Sequence, residues 1–119
     1  MSHYNPRLQE YLARAEFAGI PPGMAAGEAV NPVCRDRVRI AVTQSPIGTI
    51  AEARFEVTGC APTIAAAARL CERVRGQTSA QALAIDPEGL AADLGGDAAG
   101  KRHAFEVVLE ALRRAVRAG

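Results

Sequence analysis

Thr58-Gly59-Cys60-Ala61-Pro62-Thr63-Ile64 is the stretch whose reading decides the fold: an alternating strand pattern stops, a glycine permits a turn, and a cysteine opens a helix. Gly59 tolerates the positive φ that other residues avoid, so the backbone is expected to reverse direction there. Pro62 suits a first helical position, where its missing N–H leaves no bond unmade. The apolar run from Ile64 to Val74, closed by Gly76, predicts a helix of about three to four turns. Cys60 then lies just ahead of unpaired N–H groups and the positive end of a helix dipole, a setting that favours thiolate over thiol. A thiolate so placed can bind metal or attack sulfur.

Upstream of this corner the hydrophobic period is two. Val38, Ile40 and Val42 alternate with Arg37, Arg39 and Ala41, and after the loop Gln44-Ser45-Pro46-Ile47-Gly48 a second run sets Ala51, Ala53, Phe55 and Val57 against Glu52, Arg54 and Glu56. Two such runs predict an antiparallel hairpin with one apolar face. Matching those faces pairs Ile40 with Phe55 and Val38 with Val57. Pro32 biases Asn31 toward extended backbone, so the chain is expected to enter Val33-Cys34-Arg35-Asp36 straight. Cys34 and Asp36 share the parity of the apolar set, about 7 Å apart if the strand runs that far. The register then brings Cys34 level with Gly59 and Cys60, with Asp36 beside them.

The ends of the chain read as helical. Leu8, Tyr11, Leu12 and Ala15 form an amphipathic stripe in a helix over 6–18, stopped by Gly19 and Pro21-Pro22. Gly23 to Val30 is compatible with a short strand. Ser79 and Asp86-Pro87 look like successive helix starts, with Gly95-Gly96 as a stop. Lys101 to Arg117 carries a continuous stripe of Ala104, Val107, Val108, Ala111, Leu112, Ala115 and Val116, with His103 at its edge.

At 119 residues the chain is expected to form a single domain over 1–119. It has no apolar run of about 18 residues to span a membrane and no basic-then-apolar leader, so a cytoplasmic protein is the expectation. Three cysteines at 34, 60 and 71 argue for reduced thiols rather than a disulfide framework. A net charge of +1 gives no whole-molecule attraction to nucleic acid or an anionic membrane. The arginines at 35, 37 and 39 read as a solvated face paired with Glu52 and Glu56, without the interleaved aromatics of a single-strand binder.

Asn31-Pro32-Val33-Cys34-Arg35-Asp36, Gly59-Cys60-Ala61-Pro62-Thr63-Ile64-Ala65 and Lys101-Arg102-His103 resemble the three ligand-bearing motifs of the NifU/IscU-type iron–sulfur cluster assembly scaffolds. The resemblance spans nearly the whole chain, with order and spacing kept. It implies an α+β fold with a small antiparallel sheet of about three strands covered by helices. It implies a scaffold or carrier rather than an enzyme, one that takes sulfur from a cysteine desulfurase, assembles a [2Fe–2S] cluster and passes it to client apo iron–sulfur proteins. Zinc binds at the same site in several members. By position, Cys34 and Cys60 match the first two cysteine ligands, Asp36 the neighbouring aspartate and His103 the histidine. The family typically carries a further cysteine after that histidine, where this chain has Ala104, and a glycine between the first cysteine and the aspartate, where this chain has Arg35. A proline-rich stretch read by a chaperone in some members is replaced by Gly95-Gly96-Asp97-Ala98-Ala99-Gly100, so chaperone-assisted transfer is not implied.

Any one of these residues alone has an ordinary structural explanation: a cysteine opening a helix packs, and a histidine at a helix end caps. Two thiolates, a carboxylate and an imidazole converging from three segments suit tetrahedral zinc, or two irons with non-thiolate ligands. Asp36 is as well suited to orienting a ligand as to binding metal itself. Two other functions fit the same residues: a zinc-containing sulfur acceptor for a desulfurase, and a divergent, metal-free interaction module. Cys71 lies three helical turns beyond Cys60, roughly 15 Å along the axis, and is expected to be a small core residue.

Overall fold

A computed structural model of the protein describes residues 6–14, 16–33, 35–95 and 102–118. The order of elements is α1 (Pro6–Leu12), β1 (Ala25–Val30), β2 (Arg37–Gln44), β3 (Ile50–Thr58), α2 (Ala61–Val74), α3 (Ser79–Leu83), α4 (Pro87–Asp93) and α5 (Arg102–Ala118). The three strands form one antiparallel sheet in the order β1-β2-β3. The fold is therefore α+β, as the family resemblance implies.

The central hairpin has the expected register: Ile40 faces Phe55 and Val38 faces Val57. Val38, Ile40, Val42, Ala53 and Phe55 are buried on the face that the helices cover. α5 lies over β1 and β2, and α2 lies over β3. Removing a Leu, Ile, Val or Phe side chain from water is worth about 1.5–3 kcal/mol. Fully buried Ile40, Leu70, Phe105 and Leu112 thus tie sheet to helices. The run Ala65 to Ala68 is buried throughout, which places the middle of α2 between the sheet and other helices. Cys71 is fully buried in that same core, and burial pushes its thiol pKa up, as an inert core cysteine should behave.

α5 approaches β1 closely enough that a Cβ at Gly27 would stand 2.2 Å from the Ala115 nitrogen and 2.4 Å from the Ala111 oxygen. Backbone therefore rests on backbone, which the small residues Gly27, Ala111 and Ala115 make possible.

Several local expectations are corrected. The first helix ends at Leu12 instead of reaching 18, because Phe17 to Gly19 runs along the outer edge of β3. There Gly19 N–H donates to the Phe55 carbonyl at 2.8 Å, and Phe55 N–H donates to that of Phe17 at 2.9 Å. The strand edge would otherwise expose those backbone groups. Ala15 lies outside the described residues. Ala51 faces solvent and Ile50 the core, since the ladder shifts between Thr43 and Gln44 so that Ile50 pairs with Gln44. This bulge reverses the parity read from the sequence. Ala41, expected on the solvated face, is buried between Ala26 and Arg54 of the flanking strands. The short helices start where expected. Thr78 and Gln81 form a capping box at α3, and Asp86 caps α4 by accepting from Gly89 N–H at 2.7 Å.

Outside the core, charge pairing holds the periphery. Glu72 on α2 accepts from the Tyr11 hydroxyl and the Arg14 guanidinium, which fastens α1 to α2. Asp93 accepts from Arg69 at 3.0 Å and Arg73 at 2.9 Å. On the open face of the sheet Arg39 pairs with Glu56 at 2.8 Å as expected, whereas Arg37 lies 3.6 Å from Glu28 on β1 and Glu52 pairs with Arg54 at 3.3 Å.

Candidate functional site

The turn into β2 is not straight. Asn31 N–H donates to the Asp36 carbonyl at 2.8 Å, and Arg35 N–H donates to the Asn31 carbonyl at 2.7 Å, which closes a tight hairpin loop between β1 and β2. The Asn31 side-chain oxygen accepts from Val33 N–H at 2.8 Å, an Asx turn that competes with extension at this point. Closing the loop puts Arg35 at φ +62°, the left-handed region where a Cβ is crowded. Cys34 lies in this loop and outside the described residues.

The loop delivers Asp36, which is 96% buried, to the start of α2. Its Oδ2 accepts from the Cys60 thiol at 2.9 Å and from the Thr63 hydroxyl at 2.6 Å. Burial pushes its pKa up. The two side-chain bonds and one from the Cys60 backbone N–H outweigh that effect and hold the carboxyl below its ordinary range. Cys60 is the N-cap residue of α2, with extended backbone, and its sulfur makes no cap bond of its own. Asp36 serves the helix end from another element instead. The helix begins at Ala61, so Pro62 is its second residue, one later than expected.

Gly59 has no positive φ. Its reason is space: a Cβ there would stand 2.5 Å from the Asp36 Cγ and 2.6 Å from Oδ1. The carboxylate occupies the room a side chain would need.

His103 sits on the first turn of α5, with its side chain 55% exposed and Nδ1 3.9 Å from Glu106 Oε1. It lines a groove of about 660 Å³ together with Asn31, Pro32, Val33 and Val107. The histidine therefore faces the loop that carries Cys34. The structure brings Asp36 and Cys60 into contact and sets His103 beside residues 31–33. Among the described residues, no group of three or more His, Cys, Asp or Glu side chains is placed to hold a metal ion.

Comparison with known proteins decides the family. The sequence profile of the NifU-like N-terminal domain matches residues 1–118. This chain belongs to the NifU-like N-terminal domain family. The "Iron-sulfur cluster assembly scaffold protein IscU 1" of Archaeoglobus fulgidus is 34% identical over 114 residues, covering 95% of this chain and 74% of that protein. The "Bifunctional protein NifU/MnmA" of Rubrobacter xylanophilus is 35% identical over 114 residues, and there the chain spans 23% of the relative's length. Among solved structures, the "Putative iron-sulfur cluster assembly scaffold protein for SUF system" of Fervidobacterium islandicum AW-1 superposes with a TM-score of 0.79. It has 18% identity, with 92% of this chain and 93% of that chain covered. The NifU-like N-terminal protein of Brucella abortus gives 0.66 at 16% identity, covering 97% and 95%. At those identities the structures speak to fold alone.

Within this NifU-like domain the donor chemistry at the corner fits a metal. The Cys60 thiol donates its proton to Asp36 Oδ2 across 2.9 Å. A tetrahedral zinc bound to both atoms would set them about 3.5 Å apart. A cation replacing the proton thus asks for a small opening, and it would neutralise a thiolate beside a carboxylate. Ala104, at the position of the family's further cysteine, is buried.

The sequence reading missed Thr63. This residue is fully buried at the third position of α2, three after the N-cap, where a side chain points back at the cap. That spacing was the available signal.

Proposed function

We propose that this NifU-like domain is an iron–sulfur cluster assembly scaffold or carrier in which Cys34, Asp36, Cys60 and His103 hold a [2Fe–2S] cluster or its iron, with zinc accepted at the same place. The observation that carries this reading is the Cys60–Asp36 pair: a soft and a hard donor held 2.9 Å apart at an exposed corner. Membership of a family whose members include named scaffold proteins supports it. The groove lined by His103 and by residues 31–33 puts an imidazole beside the loop that precedes Asp36. A labile, mixed ligand set suits a protein that gives its cargo away.

The sulfur is taken from a cysteine desulfurase, the cluster goes to client apo iron–sulfur proteins, and the setting is the reducing cytoplasm. Nucleic acid and membrane play no part. No helix among the described residues is long and apolar enough to cross a membrane. Anaerobic reconstitution with iron and sulfide should give a visible charge-transfer absorption that is lost in Cys34→Ala and Cys60→Ala. A wild-type protein that stays colourless contradicts the reading.

The exposed Cys60 admits a second reading, in which zinc is resident and this thiol accepts sulfur from the desulfurase. Mass spectrometry after incubation with an active desulfurase would then find a sulfur adduct at Cys60 or Cys34. An unmodified protein counts against it.

A further inference from the structure

We infer that Thr63 is a positioning residue for the metal: its buried hydroxyl fixes which oxygen of Asp36 faces the Cys60 sulfur. This rests on the reading of Cys60 and Asp36 as ligands. Three distances carry it. Thr63 Oγ1 lies 2.6 Å from Asp36 Oδ2 and 3.3 Å from Cys60 Sγ, and that same Oδ2 lies 2.9 Å from Sγ. The three atoms form a closed triangle.

The bond from the Cys60 thiol cannot keep this geometry once metal is bound, because the proton it uses is the one the metal displaces. The Thr63 hydroxyl is the side-chain donor to Oδ2 that remains. It is fully buried, so no water competes for its place. The carboxylate already fills the space beside Gly59, where a Cβ would stand 2.6 Å from Oδ1, and rotation away from that position breaks the Thr63 bond. The hydroxyl therefore presets Asp36 for the cation before it arrives. Partners that orient a metal ligand in this way are worth about 10–100-fold in affinity.

The test is zinc affinity, measured by chelator competition on the full chain, for wild type, Thr63→Val, Thr63→Ser and both Asp36→Ala and Asp36→Ala/Thr63→Val. Thr63→Val keeps the volume and removes the hydroxyl; it should weaken zinc about tenfold or more. Thr63→Ser should stay within about threefold of wild type. In the Asp36→Ala background Thr63→Val should cost nothing further, since it acts through that carboxylate. Cobalt-substituted Thr63→Val should retain wild-type thiolate-to-metal absorption, because only the oxygen ligand is disturbed. In the metal-free protein, amide exchange at Cys60 should quicken in Thr63→Val and not in Thr63→Ser. Equal zinc affinity in wild type and Thr63→Val overturns the inference, as does a Thr63→Ser loss as large as that of Thr63→Val, which would mean packing. Wild-type protein that binds no zinc overturns both this inference and the ligand assignment beneath it. The other failures leave the ligand assignment standing.

Discussion

Replacing Gly59 by alanine should cost about 2–3 kcal/mol through one contact. The added Cβ would lie 2.5 Å from Asp36 Cγ, 2.6 Å from Oδ1 and 2.8 Å from Asp36 Cβ. Carbon atoms rest at about 3.5–4.0 Å, so the carboxylate must retreat by about 1 Å. Such a move stretches the 2.6 Å bond from Thr63 past hydrogen-bonding range and weakens the 2.9 Å bond from Cys60. Bonds to a charged acceptor are worth about 1.5–3 kcal/mol each, and water at the exposed Cys60 side replaces part of the loss. Because Gly59 has no positive φ, alanine would otherwise be neutral or stabilising by about 0.4–1 kcal/mol. The predicted penalty lowers Tm by about 10 °C for a domain of this size. Thermal unfolding followed by circular dichroism at neutral pH reads it directly. Asp36→Gly removes the three nearest atoms, so in that background Gly59→Ala should cost nothing. An equal loss in both backgrounds, or no loss in either, would refute the contact as the reason for the glycine.

Gly27→Ala should be more damaging, about 3 kcal/mol or more, because the helix backbone it meets cannot yield as a side chain can; a urea midpoint within error of wild type would contradict this. Arg35→Gly should stabilise by about 0.5–1 kcal/mol, the left-handed strain relieved less the entropy that glycine adds to the unfolded chain, and an unchanged or lower midpoint would count against it. Asp36 and Glu72 are both held below the ordinary carboxylate range, in each case by hydrogen bonds that outweigh burial. Their stabilisation is present above the unfolded-state value of about 4 and is lost as pH falls through the depressed folded values. Unfolding midpoints should therefore fall between about pH 5 and pH 2, and Glu72→Gln should flatten that slope; an unaltered slope would remove Glu72 from the account.

The hairpin register was legible because a slip of one residue would turn one apolar face to solvent, and among the pairings that keep the faces together the short loop favours Ile40 with Phe55 and Val38 with Val57. The helix starts were legible wherever a capping residue or proline marked them, as at Asp86-Pro87. What escaped depends on tertiary context. Nothing in the residues near Leu12 says that Phe17 to Gly19 will leave a helix to cover the edge of β3. The bulge at Ala51 reverses a parity that only the ladder reveals. At the site, Cys60 and Asp36 were identified as neighbours through register, whereas the turn at Asn31 overrode the extension expected ahead of Asp36. Gly59 was read as a conformational device and is a spatial one, a distinction set by a side chain 23 positions away. The glycine usual in the family at the position of Arg35 finds its reason in the +62° φ there.

The central claim is that thiolates from two separate turns join a carboxylate and an imidazole on one metal. X-ray absorption spectroscopy at the zinc edge, on stoichiometrically loaded wild-type protein, counts those ligands. Two sulfurs at about 2.3 Å and two nitrogen or oxygen atoms at about 2.0–2.1 Å are predicted, with one sulfur lost in either Cys34→Ala or Cys60→Ala. A first shell of oxygen and nitrogen alone, or a sulfur count indifferent to those substitutions, would contradict the account.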